Sequence, residues 1–307
     1  MTPRFSIVVP TRDRPQSLAR CLVSLAALDY PREKFEVIVV DDGSASSPAE
    51  IVEQFSGALC VSLVCLSHSG PAAARNAGVR RSTGDFLAFV DDDCTVDRHW
   101  LTALEQRLAH DPGAVIGGRV VNGLPSNPYA RASQGLQHFL YDWYHTNRRG
   151  ALRFFTTNNL AVARADFDAI GEFDSSFPFA SEDRDWCDRC LLDGRELIYA
   201  PEAVVHHSHD LTFPAFVRQH YRYGQGAVRF HIARSRRRGN PVRLEPWRFY
   251  HGMLTAPFTM RNPQLLRESL LLLTSQAVSL AGFLQAMRAT VRSELKSNGS
   301  SPDLNLR

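Results

Sequence analysis

The chain has 307 residues, of which 44% are hydrophobic and 22% charged, a balance typical of a soluble globular protein with one large α/β domain and an appendage. Its formal net charge of +3 is too small to indicate nucleic-acid binding. The sequence begins directly in a strand pattern without the features of a signal peptide, so we expect a cytoplasmic protein whose six cysteines are free thiols.

Short apolar runs alternate with helical patterns over the first 90 residues. The predicted strands lie at 5–9, 35–40, 59–66 and 86–90, and the predicted helices at 15–28, 48–55 and 71–81. Strands that alternate with helices predict an α/β fold with a mainly parallel central sheet, flanked by helices on both faces.

Clusters of polar residues directly follow three of these strands, at 11–14, 41–44 and 91–93. In open parallel sheets, ligands bind at the carboxyl ends of the strands. We therefore predict a ligand site at this edge of the sheet.

The alternation of apolar runs and helical patterns becomes less clear between residues 117 and 153. Strands are predicted again at 195–199 and 203–205. From residue 211 the chain becomes helical and more basic, and from 296 it is rich in Ser, Asn, Gly and Pro. The predicted organisation is an α/β domain at 1–210, a helical region at 211–295 and a disordered tail at 296–307.

Two segments of the helical region suggest a membrane contact. Residues 229–238 contain five arginines and no acid, and residues 269–287 carry no formal charge. The second segment predicts an amphipathic helix packed on the domain or lying on a membrane surface, and its polar residues disfavour a span. A peripheral contact with the inner face of the membrane and a solvated basic helix both stay open.

Asp91 and Asp93 flank one residue at a strand end, where alternate side chains point the same way. Two carboxylates suit Mg²⁺ or Mn²⁺ bound to a diphosphate. A solvated acidic turn is the alternative.

Two further candidate site residues each have a structural interpretation as well as a functional one. Asp42 could bind a nucleobase or ribose, or belong to a helix cap near Ser44 or Ser47. Arg75 could neutralise a phosphate or form a surface salt bridge.

Glu182 and Asp183 could supply a general base, or simply favourable charge at a helix N-terminus. The histidines at 206, 207 and 209 could provide a metal ligand. Cys187 and Cys190 form a single C-x-x-C in a helical run, which favours a shared helix face over a zinc site.

Five motifs stand in order along the chain: FSIVVPTRDR from residue 5, VVDDGS from 39, GPAAARNAG from 70, FVDDD from 89 and SEDRDW from 181. Together they resemble family 2 glycosyltransferases of the GT-A fold over residues 4–225. The resemblance implies a GT-A nucleotide-binding domain, with the C-terminal helices outside the matched motifs.

The resemblance also implies site residues. Those for the nucleotide are Pro10, Thr11, Asp13, Asp42, Arg75 and Asp92. Those for the metal, Mn²⁺ or Mg²⁺, are Asp91, Asp93 and His207, with His206 and His209 as neighbouring alternatives. Asp183 matches the catalytic base, and Glu182 a supporting residue.

The implied reaction is inverting transfer from a nucleoside-diphosphate sugar to a hydroxyl of a glycan or lipid-linked acceptor in surface polysaccharide or glycolipid synthesis. The resemblance favours UDP as the nucleotide, with GDP and dTDP as alternatives. The processivity motif Q-x-x-R-W is absent from the sequence, and residues 218–223 near its expected place do not match. We therefore expect transfer of one or a few sugars.

Rival functions fit less well. A haloacid-dehalogenase-type phosphatase needs a downstream lysine, and Lys296 in the tail is the only one after Asp91. A dinucleotide-binding dehydrogenase needs a G-x-G-x-x-G after the first strand. A nucleotidyltransferase would carry a Gly-rich basic loop where residues 11–14 stand, and a non-catalytic binding protein would usually have lost Asp93 or Asp183.

Overall fold

The computed structural model describes residues 4–146, 154–177, 179–239, 246–259 and 265–298. The strands are β1 (Phe5–Thr11), β2 (Phe35–Asp41), β3 (Val61–Cys65), β4 (Phe86–Phe89), β5 (Cys94–Val96), β6 (Val115–Asn122), β7 (Leu160–Ala163) and β8 (Leu197–His207). The helices are α1 (Pro15–Ala26), α2 (Ala49–Gln54), α3 (Pro71–Arg81), α4 (Trp100–His110), α5 (Pro128–Thr146), α6 (Arg164–Ile170), α7 (Glu182–Leu192), α8 (Phe213–Arg238), α9 (Trp247–Thr259) and α10 (Leu265–Asn298).

The strands form one mixed sheet in the order β3-β2-β1-β4-β7-β6-β8-β5. The first four are mutually parallel, and β6 pairs parallel with β8. Only β7 and β5 run the other way, each antiparallel to its neighbours. The predicted mainly parallel sheet with flanking helices is confirmed.

Two cores cover the two faces of the sheet. Ile7 and Val9 of β1 pack in one core with Leu22 of α1, whereas Val8 packs in the other with Ala74 of α3. Every residue of β1 is buried, which explains why the strand reads as a continuous apolar run.

Helix α3 lies unusually close to the sheet. A Cβ atom at Gly78 would stand 2.4 Å from Val8 Cγ1, so only glycine permits this approach. Arg75 lies one turn earlier in the same helix, and α3 begins beside the carboxyl ends of the parallel strands. The close packing thus fixes Arg75 at the predicted site.

The predicted elements of the first 90 residues are all present, with ends shifted by at most two residues. Helix α5 was not predicted, because its aromatic residues are spread around the helix. Phe139 and Trp143 of α5 contact Phe249 of α9, while Tyr141 packs against Phe155 on another side. The two short strands predicted at 195–199 and 203–205 are parts of β8, which has an irregularity opposite β6.

The arginine run at 229–238 does not form a free basic surface. Arg234, Arg237 and Arg238 bond to Asp188 of α7, and Arg237 also bonds to Asp185 over 2.7 Å. Three of the five arginines therefore bond to buried acids of α7, and a membrane contact through this run stays a prediction.

The apolar segment 269–287 lies in α10, which packs along α8 and is tied to α5 by an Arg131–Glu268 ion pair of 2.6 Å. Among the described residues, Leu266–Arg292 is the one helical stretch whose length and composition would allow a membrane span, and 22% of its most apolar window is buried. Helix α10 continues to Asn298, so the tail predicted from 296 begins as helix. Residues 299–307 lie outside the described residues.

Candidate active site at the carboxyl ends of the strands

Three consecutive aspartates follow β4 in a tight turn. The Cys94 N–H donates to the Asp91 carbonyl over 3.0 Å, so the chain turns here and does not continue as a strand. The expectation from strand alternation was therefore wrong about the local geometry. The carboxylate of Asp91 bonds to Arg75, whereas that of Asp93 bonds to Arg14.

Asp93 lies between two cationic partners. Arg14 Nη1 donates to its Oδ2 over 2.7 Å, and His207 Nε2 lies 3.4 Å from its Oδ1. Burial alone would raise the pKa of Asp93, but His207 and Arg14 outweigh burial and hold this pKa well below its usual range. Burial would lower the pKa of His207, but Asp93 raises it overall.

The structure distinguishes the three clustered histidines. His206 pairs across the sheet with Thr95 and is exposed, and His207 contacts Asp93. The ring of His209 stacks on that of His207 with centroids 4.8 Å apart. Burial, with a further contribution from His207, lowers the pKa of His209 to about 4, so it is neutral near pH 7.

Asp92 is fully buried and faces protein groups. Its Oδ2 accepts a hydrogen bond of 2.6 Å from the Thr11 hydroxyl, and Arg14 Nη2 lies 2.8 Å from its Oδ1. Burial raises the pKa of Asp92 to about 7. Asp92 thus connects the end of β1, with Pro10 and Thr11, to the aspartate turn, and a direct nucleotide contact by these three residues stays a prediction.

Asp42 fastens the loop that leads into α3. Its carboxylate accepts the N–H groups of Ser69 and Gly70 over 2.7 and 3.0 Å, and His68 Nδ1 lies 2.8 Å away. Gly70 has φ of 91°, which favours glycine at the residue before the helix. The cap interpretation is wrong for Ser44, which bonds to Asp41 and Asp13, whereas Ser47 Oγ accepts the N–H of Ala49 at the start of α2 over 3.3 Å.

Asp13 joins the loops after β1 and β2. Its Oδ1 accepts the Ala45 N–H over 2.7 Å, and its own N–H donates to Ser44 Oγ over 2.9 Å. Its φ of 53° lies in the left-handed region, where a non-glycine residue is strained. These bonds place Asp13 beside the predicted nucleotide position without testing its role.

Arg75 connects the aspartate turn to α7. Its Nη2 donates to Asp91 Oδ1 over 2.7 Å, and its Nη1 donates to Glu182 Oε1 over 2.9 Å. The side chain is 5% exposed, so the alternative of a surface salt bridge is wrong. One buried guanidinium thus joins two sites that stand 91 residues apart in the sequence.

Glu182 and Asp183 open α7 after Ser181, whose φ of 78° is left-handed. Burial, and next the charge of Asp183, raise the pKa of Glu182 to about 7. Burial also raises the pKa of Asp183, although its Oδ1 accepts the Arg184 N–H over 2.7 Å. Glu182 is buried and Asp183 only partly so, which makes Asp183 the more accessible carboxylate.

Sequence reasoning missed Arg14, which bonds to both Asp92 and Asp93. Its position directly after β1, within the polar cluster at 11–14, was a usable signal. Cys187 and Cys190 are buried free thiols, and their spacing of three residues places them on one side of α7.

The sequence profile described as "Glycosyl transferase family 2" matches residues 6–173, which is more than half of the chain. This chain belongs to that family. The resemblance inferred from the five motifs is thereby confirmed, and the protein is a glycosyltransferase.

Several known proteins match about 67% to 74% of this chain at moderate sequence identity. The glycosyltransferase AglE of Haloferax volcanii is 27% identical over 228 residues, which cover 74% of this chain and 73% of AglE. The succinoglycan biosynthesis protein ExoM of Rhizobium meliloti is 33% identical over 211 residues, 67% of each chain. The pre-mycofactocin glycosyltransferase of Mycobacterium tuberculosis is 32% identical over 73% of this chain, but only 46% of its own length is matched.

Two solved structures share the fold. The mannosyltransferase PcManGT from Pyrobaculum calidifontis, in complex with GDP-Man and Mn²⁺, has a TM-score of 0.61 at 21% identity, covering 95% of this chain and 80% of its own. Staphylococcus aureus TarS 1-349 has a TM-score of 0.54 at 22% identity, covering 95% and 92%. These similarities confirm the GT-A fold of this family 2 glycosyltransferase.

Proposed function

We propose that the protein transfers one or a few sugars from a UDP-sugar to a hydroxyl of a glycan or lipid-linked acceptor, with inversion at the anomeric carbon and with Mn²⁺ or Mg²⁺. One observation carries the proposal. Buried Arg75 bonds both to Asp91 of the aspartate turn and to Glu182, next to Asp183. The expected donor side and the expected base are therefore parts of one network.

The donor type rests on relatives of known ligand. TarS has been solved with UDP and with UDP-GlcNAc, and PcManGT with GDP-Man. A 100-residue part of this chain is 36% identical to TarS, which supports a UDP-sugar. The loops fastened by Asp13 and Asp42, with Pro10 and Thr11 at the end of β1, would line the nucleotide position.

The residues present fit a divalent cation. Asp93 Oδ1 and His207 Nε2 are 3.4 Å apart, close to the roughly 3.0 Å between neighbouring ligands of an octahedral cation with bonds of about 2.1 Å. Cys94 lies in the same cluster, but burial raises its thiol pKa well above the usual value, so it would stay protonated. Asp93 and His207 would hold the cation with Asp91, and the bound cation would neutralise charge on the diphosphate.

Asp183 would take the proton from the acceptor hydroxyl. Its raised pKa makes it a stronger base than an exposed aspartate, and partial exposure leaves it accessible. The acceptor oxygen then forms its bond to the anomeric carbon as the bond to the nucleoside diphosphate breaks on the opposite face. Arg75 and Glu182 would hold Asp183 at a fixed position relative to the aspartate turn.

The test is release of nucleoside diphosphate from a panel of UDP- and GDP-sugars, with Mn²⁺, Mg²⁺ or EDTA and a mixture of methyl glycosides as acceptors. We expect metal-dependent UDP release that Asp93→Ala abolishes, and NMR of the product should show the inverted anomer. Retention of configuration would overturn the inverting mechanism. Failure to bind UDP with Mn²⁺ in calorimetry would overturn the donor assignment.

A further inference from the structure

A continuous apolar stripe, here called the α10 stripe, runs along the exposed face of α10. Its members are Leu266, Leu270, Leu273, Ala277, Leu280, Leu284, Met287 and Val291. The large side chains among them are between 41% and 77% exposed. No function proposed above uses this surface.

The spacing of the α10 stripe alternates between four and three residues along its whole length. This is the heptad repeat of a coiled coil, in which every layer of a helix pair is apolar. Three of the four positions equivalent to d are leucine, which is typical of two-stranded coils. A helix lying on lipid carries a wider apolar face and has no need of a repeat of 3.5 residues.

The opposite face of α10 shows how this helix packs against a helical partner. A Cβ at Gly282 would stand 2.1 Å from the Tyr221 carbonyl of α8, and a Cβ at Gly224 of α8 would stand 1.9 Å from the Ser279 carbonyl. α8 therefore fills one side of α10 in close contact, and the α10 stripe is a second seam on the other side.

The charges beside the α10 stripe favour one orientation. Arg267 and Arg288 both occupy position e, and an antiparallel pair would place Arg267 of one copy beside Arg288 of the other. A parallel, in-register pair separates these two arginines. The flanking positions between them, among them Thr274, Gln276 and Ala281, carry no charge and introduce no repulsion.

We propose that the α10 stripe is the interface of a homodimer, formed by parallel, in-register pairing of α10 with the same helix of a second copy. The two catalytic domains would then project from a shared two-stranded coil. This inference is independent of the donor, the acceptor and the metal.

The test is sedimentation equilibrium of the full chain over a range of concentrations, without detergent. We expect a mass twice the 34.4 kDa of one chain. Leu273→Glu combined with Leu280→Glu should give the monomer mass at every concentration, because each copy would place two charges in the seam. Leu192→Glu is the matched control: Leu192 is 46% exposed on α7, outside the stripe, and its variant should stay dimeric.

Orientation is tested with Met287→Cys in a background carrying Cys60→Ser and Cys65→Ser, which removes the two exposed thiols. Mild oxidation should link the two copies through position 287, since only a parallel pair brings these residues together. No link at 287, with efficient mixed linking between Leu270→Cys and Met287→Cys copies, would overturn the parallel arrangement.

A monomeric wild type, or a dimer that survives the double glutamate variant with unchanged circular dichroism, would overturn the proposal. Flotation with vesicles of phosphatidylglycerol and phosphatidylcholine tests whether the α10 stripe binds lipid instead of a second copy. A monomer that floats with these vesicles, and whose double variant does not, would assign the stripe to lipid and also overturn the dimer.

Discussion

The acids at the start of α7 and those further along the helix have opposite surroundings. In the first turn, Glu182 has one arginine partner, Arg75, which it shares with Asp91, and within the described structure its Oε2 is buried without a hydrogen bond. One turn later, the four carboxylate oxygens of Asp185 and Asp188 are all bonded to arginines. The first pair keeps raised pKa values, whereas the second pair fastens α7 to α8.

Under the proposed function, this contrast assigns catalysis to the first acids of one short helix and stability to the later ones. A carboxylate with too few partners is costly to ionise, and that cost makes it a better base. A buried carboxylate that is bonded to several arginines instead holds together the elements that carry them. Adjacent acids in one motif therefore need not share a role.

Asp183→Asn should cause the largest loss of activity. An amide cannot accept the proton of the acceptor hydroxyl, so we expect kcat to fall by about 10² to 10⁴. Thermal unfolding of the variant should be unchanged or slightly raised, because an acid with raised pKa is replaced by a neutral group. Steady-state turnover above one tenth of wild type would show that another group is the base.

Asp188→Ala should have the opposite effect, with a large loss of stability and little change in kcat. Removing this buried acid leaves Arg234, Arg237 and Arg238 without their common partner, so we expect about 3 kcal/mol less free energy of unfolding. Urea denaturation measures this loss. A kcat per folded molecule reduced more than tenfold would contradict the division of α7 into two roles.

Arg75→Lys tests the connection between the two sides of the site. Lysine keeps the charge but lacks the fork that reaches Asp91 and Glu182 together, so we expect kcat to fall by about 10- to 100-fold. Arg80→Lys is the matched control, because Arg80 is in the same helix and forms an exposed pair with Glu172. Equal effects of the two substitutions would reduce Arg75 to a structural residue.

The smallest expected effect concerns the pH dependence of activity. Burial raises the pKa of Asp183, so kcat/KM of the wild type should fall as the pH is lowered and the base becomes protonated. Below about pH 7 Glu182 is already largely protonated and carries little charge, so Glu182→Gln should leave this acidic limb nearly unmoved. A limb moved by a full pH unit would show that Glu182 keeps its charge while Asp183 titrates.

Glu182→Gln should also change how the stability of the protein depends on pH. The pKa of Glu182 is raised from 4.5 to about 7 in the folded chain, so the folded state binds this proton more tightly than the unfolded state. Wild-type stability should therefore decline, relative to Glu182→Gln, as the pH rises from about 4.5 through about 7. Urea titrations at several pH values measure the difference.

Most of the fold around the site was predictable because it depends on local patterns. The strands β1, β2 and β4 are buried on both faces and read as short apolar runs, and Pro71 marks the start of α3. Helix α5 was not predictable in the same way, since it contacts partners on several sides and has no single apolar face. Its partner α9 lies about 100 residues further along the chain.

The sequence by itself determined the parallel strands, the polar clusters at their ends, the family and the identity of the acids. Only the tertiary structure decided which partners these acids have. It placed Arg14 beside Asp92 and Asp93, and it placed three arginines of 229–238 beside Asp188 of α7. The physical reason is the sequence separation of the interacting residues. Strand and helix patterns come from neighbouring residues, whereas the ionisation of a buried carboxylate depends on charges that the fold brings from distant parts of the chain.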